Sequence, residues 1–178
     1  RKGCKHLILT DKTISEKKVA IPMILAFGAI NSKLINLGIR GFVSINIQTG
    51  EVLDTHSFAV LLGVGATTIN PYLAFDSIYQ RYKKKLFGNF SYNKCIQQYI
   101  KSVDNGLLKI MSKMGISVLS AYRGGCNFET VGLSRAIVAE YFPGMISRIS
   151  GIGIFGIETK IKELHKKAFQ KNVSILPI

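Results

Sequence analysis

The sequence predicts an α/β fold of alternating strand-helix units, with a mainly parallel sheet or part-barrel and a helical C-terminal extension. Three observations support this: four short apolar runs rich in β-branched residues, a helical pattern after each of them, and only helical or glycine-rich segments after the fourth. Repeated strand-helix succession implies parallel strands joined by right-handed crossovers. At 178 residues and 47% hydrophobic content, the chain can bury one domain core, or one core and a piece of the next.

The first predicted unit is a strand at 6–10 followed by a helix at 22–37. Asp11 begins the polar loop between them. Pro22 is favoured at the first position of a helix, and Gly38 is placed to end it. Because nearly every face of this helix is apolar, we expect it to be buried on more than one side.

Two more strand-helix pairs follow, with strands predicted at 42–47 and 66–69 and helices at 55–62 and 71–82. Gly63 is predicted to end the first of these helices. Asn70 is predicted as the N-cap of the second, with Pro71 as its first residue.

The longest helix is predicted at 92–114, with Ser91 as its N-cap and Gly115 in the left-handed conformation that ends many helices. The lysine-rich segment at 83–90 is the only predicted linker. A fourth strand is predicted after the long helix, and helices follow it. The ranges are 116–120 for the strand and 128–131, 135–141 and 157–170 for the helices.

The formal net charge of +14 would favour a polyanionic partner if the basic residues were clustered. Eighteen of the 24 basic residues are Lys, in short runs scattered along the chain, which is typical of a solvated surface. We therefore expect no nucleic acid partner. The alternative is a freestanding basic α/β module that binds a phosphorylated or nucleic acid ligand.

Three cysteines, Cys4, Cys95 and Cys126, lie far apart in the sequence. They form no C-x-x-C pair and have no His at metal-ligand spacing. This usage predicts no metal site and a reducing intracellular compartment. The longest apolar stretch, 19–30, contains Pro22 and is too short to span a bilayer, so no membrane partner is expected.

Two stretches contain residue types used in cofactor binding or catalysis, and both favour a structural interpretation. Residues 151–156 satisfy G-x-G-x-x-G, but no good strand precedes them and no acidic residue follows at the spacing that holds a ribose. A turn between helices is favoured. Asp54, His56 and Ser57 are too close in sequence to form a hydrolytic relay on one helix.

Polar residues follow the predicted strands, and functional sites in α/β folds gather at the carboxyl ends of strands. The residues at these ends are Thr10, Asp11, Gln48, Thr49, Asn70, Tyr72, Ser120, Tyr122 and Arg123. Tyr122 and Arg123 precede two glycines, a turn that can bind a carboxylate or another domain. A structural arginine that ties the turn to a neighbouring loop is the alternative. No residue is predicted to be catalytic or to bind a cofactor.

Several runs of the sequence resemble the large subunit of glutamate synthase, in the same order along the chain. They are LILTD at 7–11, VAIPMILAFG at 19–28, HSFAVLLGVGA at 56–66, INPYLAF at 69–75, KMGIS at 113–117, AYRGG at 121–125, NFETVGL at 127–133 and SRISGIG at 147–153. One such run would be weak evidence, whereas a collinear series is specific.

The resemblance implies a place within a larger enzyme. Members of this family contain a glutamine amidotransferase domain, a central α/β domain, an FMN-binding (β/α)8 barrel with a 3Fe-4S cluster, and a β-helix. The chain resembles the latter part of the central domain, assigned to residues 1–122. Residues 123–178 are then a helical segment that leads toward the FMN barrel. The chain is thus expected to be an interior segment of a longer polypeptide.

The implied reaction converts glutamine, 2-oxoglutarate and a reductant into two molecules of glutamate. FMN and the 3Fe-4S cluster are implied for the full-length enzyme, and none of their binding residues matches a position in this chain. The implied partners are the other domains of the polypeptide, and a small reductase subunit or domain, or ferredoxin. The cytoplasm or a plastid-type organelle is the implied compartment.

The role that the resemblance implies for this segment is that of a scaffold without catalytic residues. It would join the amidotransferase and synthase sites and help to wall the ammonia tunnel between them. We expect the strand-end residues, especially Thr10, Gln48, Asn70 and Ser120, to face that tunnel or a domain interface. The isolated segment is expected to be inactive.

Overall fold

The computed structural model describes residues 3, 5–125 and 127–170. Their fold is α/β, as predicted, with strands and helices in alternation. The strands are β1 (His6–Thr10), β2 (Ser44–Gln48) and β3 (Thr68–Asn70), and the helices are α1 (Met23–Asn36), α2 (Thr55–Val64), α3 (Tyr72–Lys83), α4 (Tyr92–Lys113), α5 (Leu119–Tyr122), α6 (Arg135–Tyr141) and α7 (Ile154–Ala168). A short 3₁₀ turn, Arg40–Phe42, precedes β2.

The three strands form a parallel sheet in the order β1-β2-β3. Side chains alternate between its two faces, and Ile45 and Ile47 of β2 are fully buried on one of them. Phe27 of α1 and Phe58 of α2 belong to the same apolar core. Both crossover helices therefore cover the same face of the sheet, which is the result expected when right-handed crossovers join adjacent strands in sequential order.

The opposite face is left uncovered by the helices of the described residues. Ile8, which points to this side from β1, is 69% exposed, whereas Ile47 on the other side is 1% exposed. We call this side of the sheet the open face. It is formed by His6, Ile8, Thr10, Ser44, Asn46, Gln48, Thr68 and Asn70.

The predicted fourth strand at 116–120 is wrong. The chain leaves α4 through Gly115, which has a φ of +70°, and then forms the short helix α5. The helix ends on Tyr122, whose side chain is fully buried and whose hydroxyl donates to the Ala59 carbonyl at 3.0 Å. Burial of this aromatic ring under α2 outweighs the weak strand preference of the preceding residues.

The predicted helix at 128–131 is also wrong. Glu129 instead forms an isolated parallel bridge with Ile146, and the Thr130 N–H donates to the Ile146 carbonyl at 2.8 Å. These contacts join segments that are separated by more than a dozen residues, so the local sequence pattern does not reveal them. The predicted helix at 135–141 is confirmed.

Helix boundaries follow the predicted caps where a side chain supplies the cap. Ser91 accepts a hydrogen bond from the Lys94 N–H at 3.3 Å and begins α4 as predicted. Asn70, by contrast, is the last residue of β3, so α3 begins two residues later at Tyr72. Gly63 lies inside α2, which continues to Val64 before Gly65 ends it with a φ of +121°.

The C-terminal elements pack against the first crossover helix. Leu25 of α1 forms a second apolar cluster with Ile137 and Val138 of α6 and with Phe142. Gly28 makes this close approach possible, because a Cβ there would lie 2.7 Å from the Tyr141 carbonyl oxygen. Among the described residues, no helix combines the length and apolarity needed to cross a bilayer.

Candidate functional site

The polar side chains of the open face are hydrogen-bonded to one another across the strands. His6 Nδ1 and Ser44 Oγ are 2.6 Å apart, and the Thr68 hydroxyl donates to Asn46 Oδ1 at 2.7 Å. Thr10 Oγ1 donates to Gln48 Oε1 at 3.0 Å. Strands of a parallel sheet are usually apolar on both faces because both are covered. The polar ladder therefore distinguishes this face as one that meets water or a polar partner.

Three of the sequence-predicted site residues lie side by side at the carboxyl edge of the open face. Thr10 is in register with Gln48, and Gln48 is in register with Asn70. Thr10 and Asn70 are exposed and Gln48 is half-buried. They form one row of hydroxyl and amide groups, which can donate and accept hydrogen bonds but carry no charge.

The predicted residues Asp11, Thr49 and Tyr72 lie just beyond that row, where the strands end. The Asp11 carboxylate accepts from the Thr49 hydroxyl at 2.5 Å and from the Gly50 N–H at 3.0 Å. Burial, together with the neighbouring Asp11 carboxylate, raises the pKa of Tyr72 to about 12. Thr49 is fully buried.

Glu51 completes this cluster from the next turn. Its Oε2 accepts from the Met23 N–H at 3.0 Å, at the first residue of α1. The acceptor sits where the helix exposes unpaired N–H groups and a positive dipole end. The cluster thus uses its carboxylates to hold the turn at 48–51 against β1 and α1. This is a positioning role for Asp11, Thr49 and Glu51.

The structure places Ser120, Tyr122 and Arg123 elsewhere, because the strand predicted to precede them is absent. Ser120 is exposed on α5, and Tyr122 is buried against α2. Arg123 lines a separate cavity together with Arg40. Arg40 donates to the carbonyls of Val43 and Gly65, the residues that lead into β2 and β3. That cavity is therefore at the amino ends of the strands, opposite to the row of Thr10.

Asp54 and Ser57 form the N-terminal cap of α2, and His56 is exposed beside them. Asp54 is the N-cap of α2 and accepts from the Ser57 N–H at 2.9 Å and from its hydroxyl at 2.7 Å. These hydrogen bonds from Ser57, with a smaller contribution from His56, lower the pKa of Asp54. The Ser57 hydroxyl is thus committed to the cap rather than to a histidine.

The glycine-rich stretch at 151–156 forms a packing junction. Gly151 lies against the backbone of Gly132, and the Ile152 N–H donates to the Gly132 carbonyl at 3.0 Å. Gly153 precedes α7 without a side-chain cap. The described residues contain no group of three His, Cys, Asp or Glu side chains placed to bind a metal ion.

Glu129 and His165 contact residues of other segments. Glu129 pairs with Arg148 at 3.0 Å. His165 of α7 is half-buried, with Nε2 3.1 Å from the Glu16 carbonyl oxygen and its ring 4.7 Å from that of Phe169.

Sequence reasoning missed Asn46, Thr68, Glu51 and Arg40 as members of these sites. A signal for the first two is present in the sequence, because SINIQ and TIN alternate polar and apolar residues. In an antiparallel strand such alternation is ordinary, but in a parallel strand it indicates an uncovered face. Arg40 and Glu51 have no comparable signal.

Comparison with known proteins gives the family. Residues 1–134 match the family model described as the glutamate synthase central domain. The chain belongs to the glutamate synthase central-domain family. It is 55% identical over 178 residues to the glutamate synthase [NADPH] large chain of Azospirillum brasilense, covering 100% of this chain and 12% of that relative.

Relatives with other named electron donors are similar along nearly the whole chain. The chloroplastic ferredoxin-dependent glutamate synthase of Spinacia oleracea is 36% identical over 185 residues, covering 98% of this chain and 11% of the relative. The glutamate synthase [NADH] of Saccharomyces cerevisiae is 33% identical over 180 residues, covering 97% and 8%. The chain thus spans about an eighth or less of the length of each of these relatives.

Proposed function

We propose that the chain acts within a glutamate synthase, which forms two molecules of glutamate from glutamine, 2-oxoglutarate and a reductant. Within that enzyme its role is a structural, interdomain and ammonia-channelling scaffold without catalytic residues of its own. Membership of the family supports the proposal that the chain is part of a glutamate synthase. The open face of the sheet supports the proposed scaffold role. FMN and the 3Fe-4S cluster belong to other parts of the polypeptide in this proposal.

The observation that carries the scaffold role is the polar ladder on an otherwise uncovered parallel sheet. Ammonia is a small, neutral molecule that is lost to catalysis once water protonates it. A wall of uncharged hydrogen-bonding groups can pass ammonia without trapping it as an ion, which a carboxylate would do. Thr10, Gln48 and Asn70 form such a row, and we assign them to a tunnel wall or a domain interface.

Ser120 and Arg123 are proposed to serve the interdomain role at a different place, and Tyr122, which is buried within the chain, holds α5 against α2. Asp11, Thr49 and Tyr72 support the tunnel-facing row from behind, through the hydrogen bonds of the strand-end cluster. The domain boundary near Tyr122 also remains a proposal, with 1–122 in the central domain and 123–178 leading toward the FMN barrel.

The amount of exposed surface supports an interdomain role. The chain exposes 12375 Å², whereas a compact monomer of 19.6 kDa exposes roughly 8,600 Å². A difference of this size supports the proposal that another part of a longer polypeptide covers some of this surface.

Apolar residues of α7 contribute to that surface. Phe155 is 80% exposed, and Leu164 is also exposed. An apolar groove of about 460 Å³ lies between α7 and residues 19–29. We propose that the remaining domains of the polypeptide, including the amidotransferase domain, the FMN barrel and the β-helix, cover these surfaces. A reductase subunit or domain, or ferredoxin, would supply electrons to the whole enzyme in a reducing intracellular compartment.

The tunnel proposal is tested by changing the row in the longer polypeptide that carries this chain. Gln48→Leu and Asn70→Leu remove hydrogen-bonding groups from the row while they keep a similar side-chain volume. We expect glutamine hydrolysis to exceed glutamate formation from 2-oxoglutarate, because ammonia escapes before it reacts. The measurement is the ratio of glutamine consumed to 2-oxoglutarate consumed.

Gln97→Leu is the matched control, since Gln97 is exposed on α4 away from the sheet. This variant should keep the two consumption rates equal. Equal rates in Gln48→Leu and Asn70→Leu as well would refute the channelling role. Turnover of glutamine or 2-oxoglutarate by the 178-residue chain alone would refute the absence of catalytic residues.

A further inference from the structure

The cavity that contains Arg40 and Arg123 is chemically distinct from the open face. It has a volume of about 310 Å³ and lies between α1, the end of α2, the residues just after α5 and the end of α6 with the residues that follow it. Its lining includes two guanidinium groups and the Asn31 side chain, and no Asp or Glu of the described residues. Two cations in one partly buried cavity without a carboxylate are electrostatically unfavourable.

Arg40 is fixed in position by three hydrogen bonds. Its Nε donates to Asn31 Oδ1 at 2.6 Å, and its two terminal nitrogens donate to the carbonyls of Val43 at 2.7 Å and Gly65 at 2.8 Å. Since a guanidinium has five N–H donors, two remain. Burial lowers the pKa of Arg40, and the positive charge of Arg123 adds to this effect.

The Arg123 side chain has no hydrogen-bond or ion-pair partner among the described residues, and its Nε is buried from solvent. A buried N–H without an acceptor costs free energy, so it needs an explanation. The backbone beside it is fixed, because the Gly124 N–H donates to the Gly63 carbonyl at 2.9 Å. Arg123 is thus a positioned donor that lacks an acceptor.

We infer that Arg40 and Arg123 form a binding site for a carboxylate group in this cavity. The planar fork of an arginine matches the two oxygens of a carboxylate, and a second guanidinium adds charge and donors. The apolar walls suit a short carbon chain attached to the carboxylate. They include Phe27, Ile35, Phe142 and Pro143.

A carboxylate fits the cavity better than a phosphate does. Phosphate sites usually add lysines, a helix N-terminus or a nest of free backbone N–H groups. Here the lining has no Lys, and the N–H groups of Gly65, Gly124, Phe142 and Met145 all donate to backbone carbonyls. The donors left to a ligand include those of the two arginines and the Asn31 amide nitrogen.

Two sources can supply the carboxylate: an Asp or Glu side chain from a part of the polypeptide outside this chain, or a small free carboxylate. The probe that tests the chemistry is succinate, added to the folded 178-residue chain while the arginine Nε–H resonances are followed by ¹⁵N-edited NMR. We expect saturable shifts of the Arg123 and Arg40 resonances. Succinamide, which has the same shape without charge, should leave them unchanged.

Arg123→Gln should weaken succinate binding by about tenfold or more, because it removes a charged hydrogen-bond donor pair. Arg123→Lys, which keeps the charge but not the fork, should restore part of the affinity. Arg148→Gln is the matched control, since Arg148 is an exposed arginine that pairs with Glu129. A structural role for Arg123 alone would give no succinate-dependent shift.

The longer polypeptide distinguishes the two sources. If its own side chain occupies the site, the Arg123 resonance is already shifted and succinate has no effect. If the ligand is a free carboxylate, succinate shifts the resonance there as well. The inference is overturned if succinate shifts neither arginine in the chain, if Arg123→Gln and Arg148→Gln bind it equally, or if inorganic phosphate binds more tightly than succinate.

Discussion

The two faces of the sheet differ sharply although the same strands form both. On the covered face, Ile45 and Ile47 of β2 pack against α1 and α2. On the open face, Ser44, Asn46 and Gln48 of the same strand join a polar ladder. The covered face stabilises the fold through buried apolar area, and the open face presents hydrogen-bonding groups to whatever lies beyond it. One strand thus stabilises the fold through one of its sides, and its other side carries the groups to which we assign the proposed scaffold role.

The largest expected effect compares two isoleucines on the opposite faces. Ile47→Ala should lower the free energy of unfolding by about 2–5 kcal/mol, because it leaves a cavity in the core. Ile8→Ala, at a position that is 69% exposed, should change it by less than about 0.5 kcal/mol. Urea denaturation of both variants measures the difference. Equal losses would show that the open face is covered in the folded chain.

The next largest loss of stability is expected where α2 packs against the segment that contains Phe128. A Cβ at Gly63 of α2 would overlap the Phe128 ring, whereas a Cβ at Gly41 meets no atom within 4 Å. Gly63→Ala should therefore destabilise the chain by about 1–3 kcal/mol through overpacking. Gly41→Ala should be nearly neutral. Thermal unfolding of the two variants is the measurement, and a neutral Gly63→Ala would contradict close packing of α2 on residues 127–133.

A smaller loss of stability is expected at the carboxyl ends of the strands. Asp11→Asn replaces a carboxylate oxygen that accepts from Thr49 and Gly50 and should cost about 1–2 kcal/mol in the free energy of unfolding. Asp76→Asn, at an exposed position on α3, is the control. Hydrogen exchange of the Gly50 amide should accelerate in Asp11→Asn only. An unchanged rate would mean that Asp11 does not hold this turn.

The smallest effect is the pH dependence of the α2 cap. Because hydrogen bonds from Ser57 lower the pKa of Asp54 in the folded chain, the cap contributes stability above about pH 4 and loses it as the pH falls through the lowered pKa. Asp54→Ser keeps a cap that does not titrate. The stability difference between the two proteins should shrink from pH 6 to pH 3. A constant difference would contradict the cap.

Local signals in the sequence predicted an element correctly where the residues that determine its conformation lie within or next to that element. The strand at 6–10 and the helix at 135–141 were predicted with the observed bounds, and the Ser91 cap was predicted correctly. Errors arose where a distant partner decides the outcome. The run at 116–120 has the sequence pattern of a strand, but the burial of Tyr122 under α2 determines its conformation.

In the candidate site, too, local signals predicted some positions correctly and distant contacts determined the others. The sequence placed Thr10, Gln48 and Asn70 at the carboxyl ends of parallel strands, and the strand register sets them side by side at one edge of the sheet. That this edge faces a tunnel or a domain interface stays a prediction. Ser120 was assigned to that edge only through the mistaken fourth strand. Arg40 and Arg123 line one cavity although they are 83 residues apart in the sequence, and no spacing rule predicts that they meet.

By itself the sequence determined the α/β class, the order of most elements, the strand-end polar residues and the glutamate synthase family. Only the tertiary structure decided that both crossover helices cover one face, that the other face is open and polar, and that two arginines share a cavity. The physical reason is that periodicity and capping act over a few residues. The choice of face, the burial of Tyr122 and the meeting of like charges depend on contacts between segments that are distant in the chain.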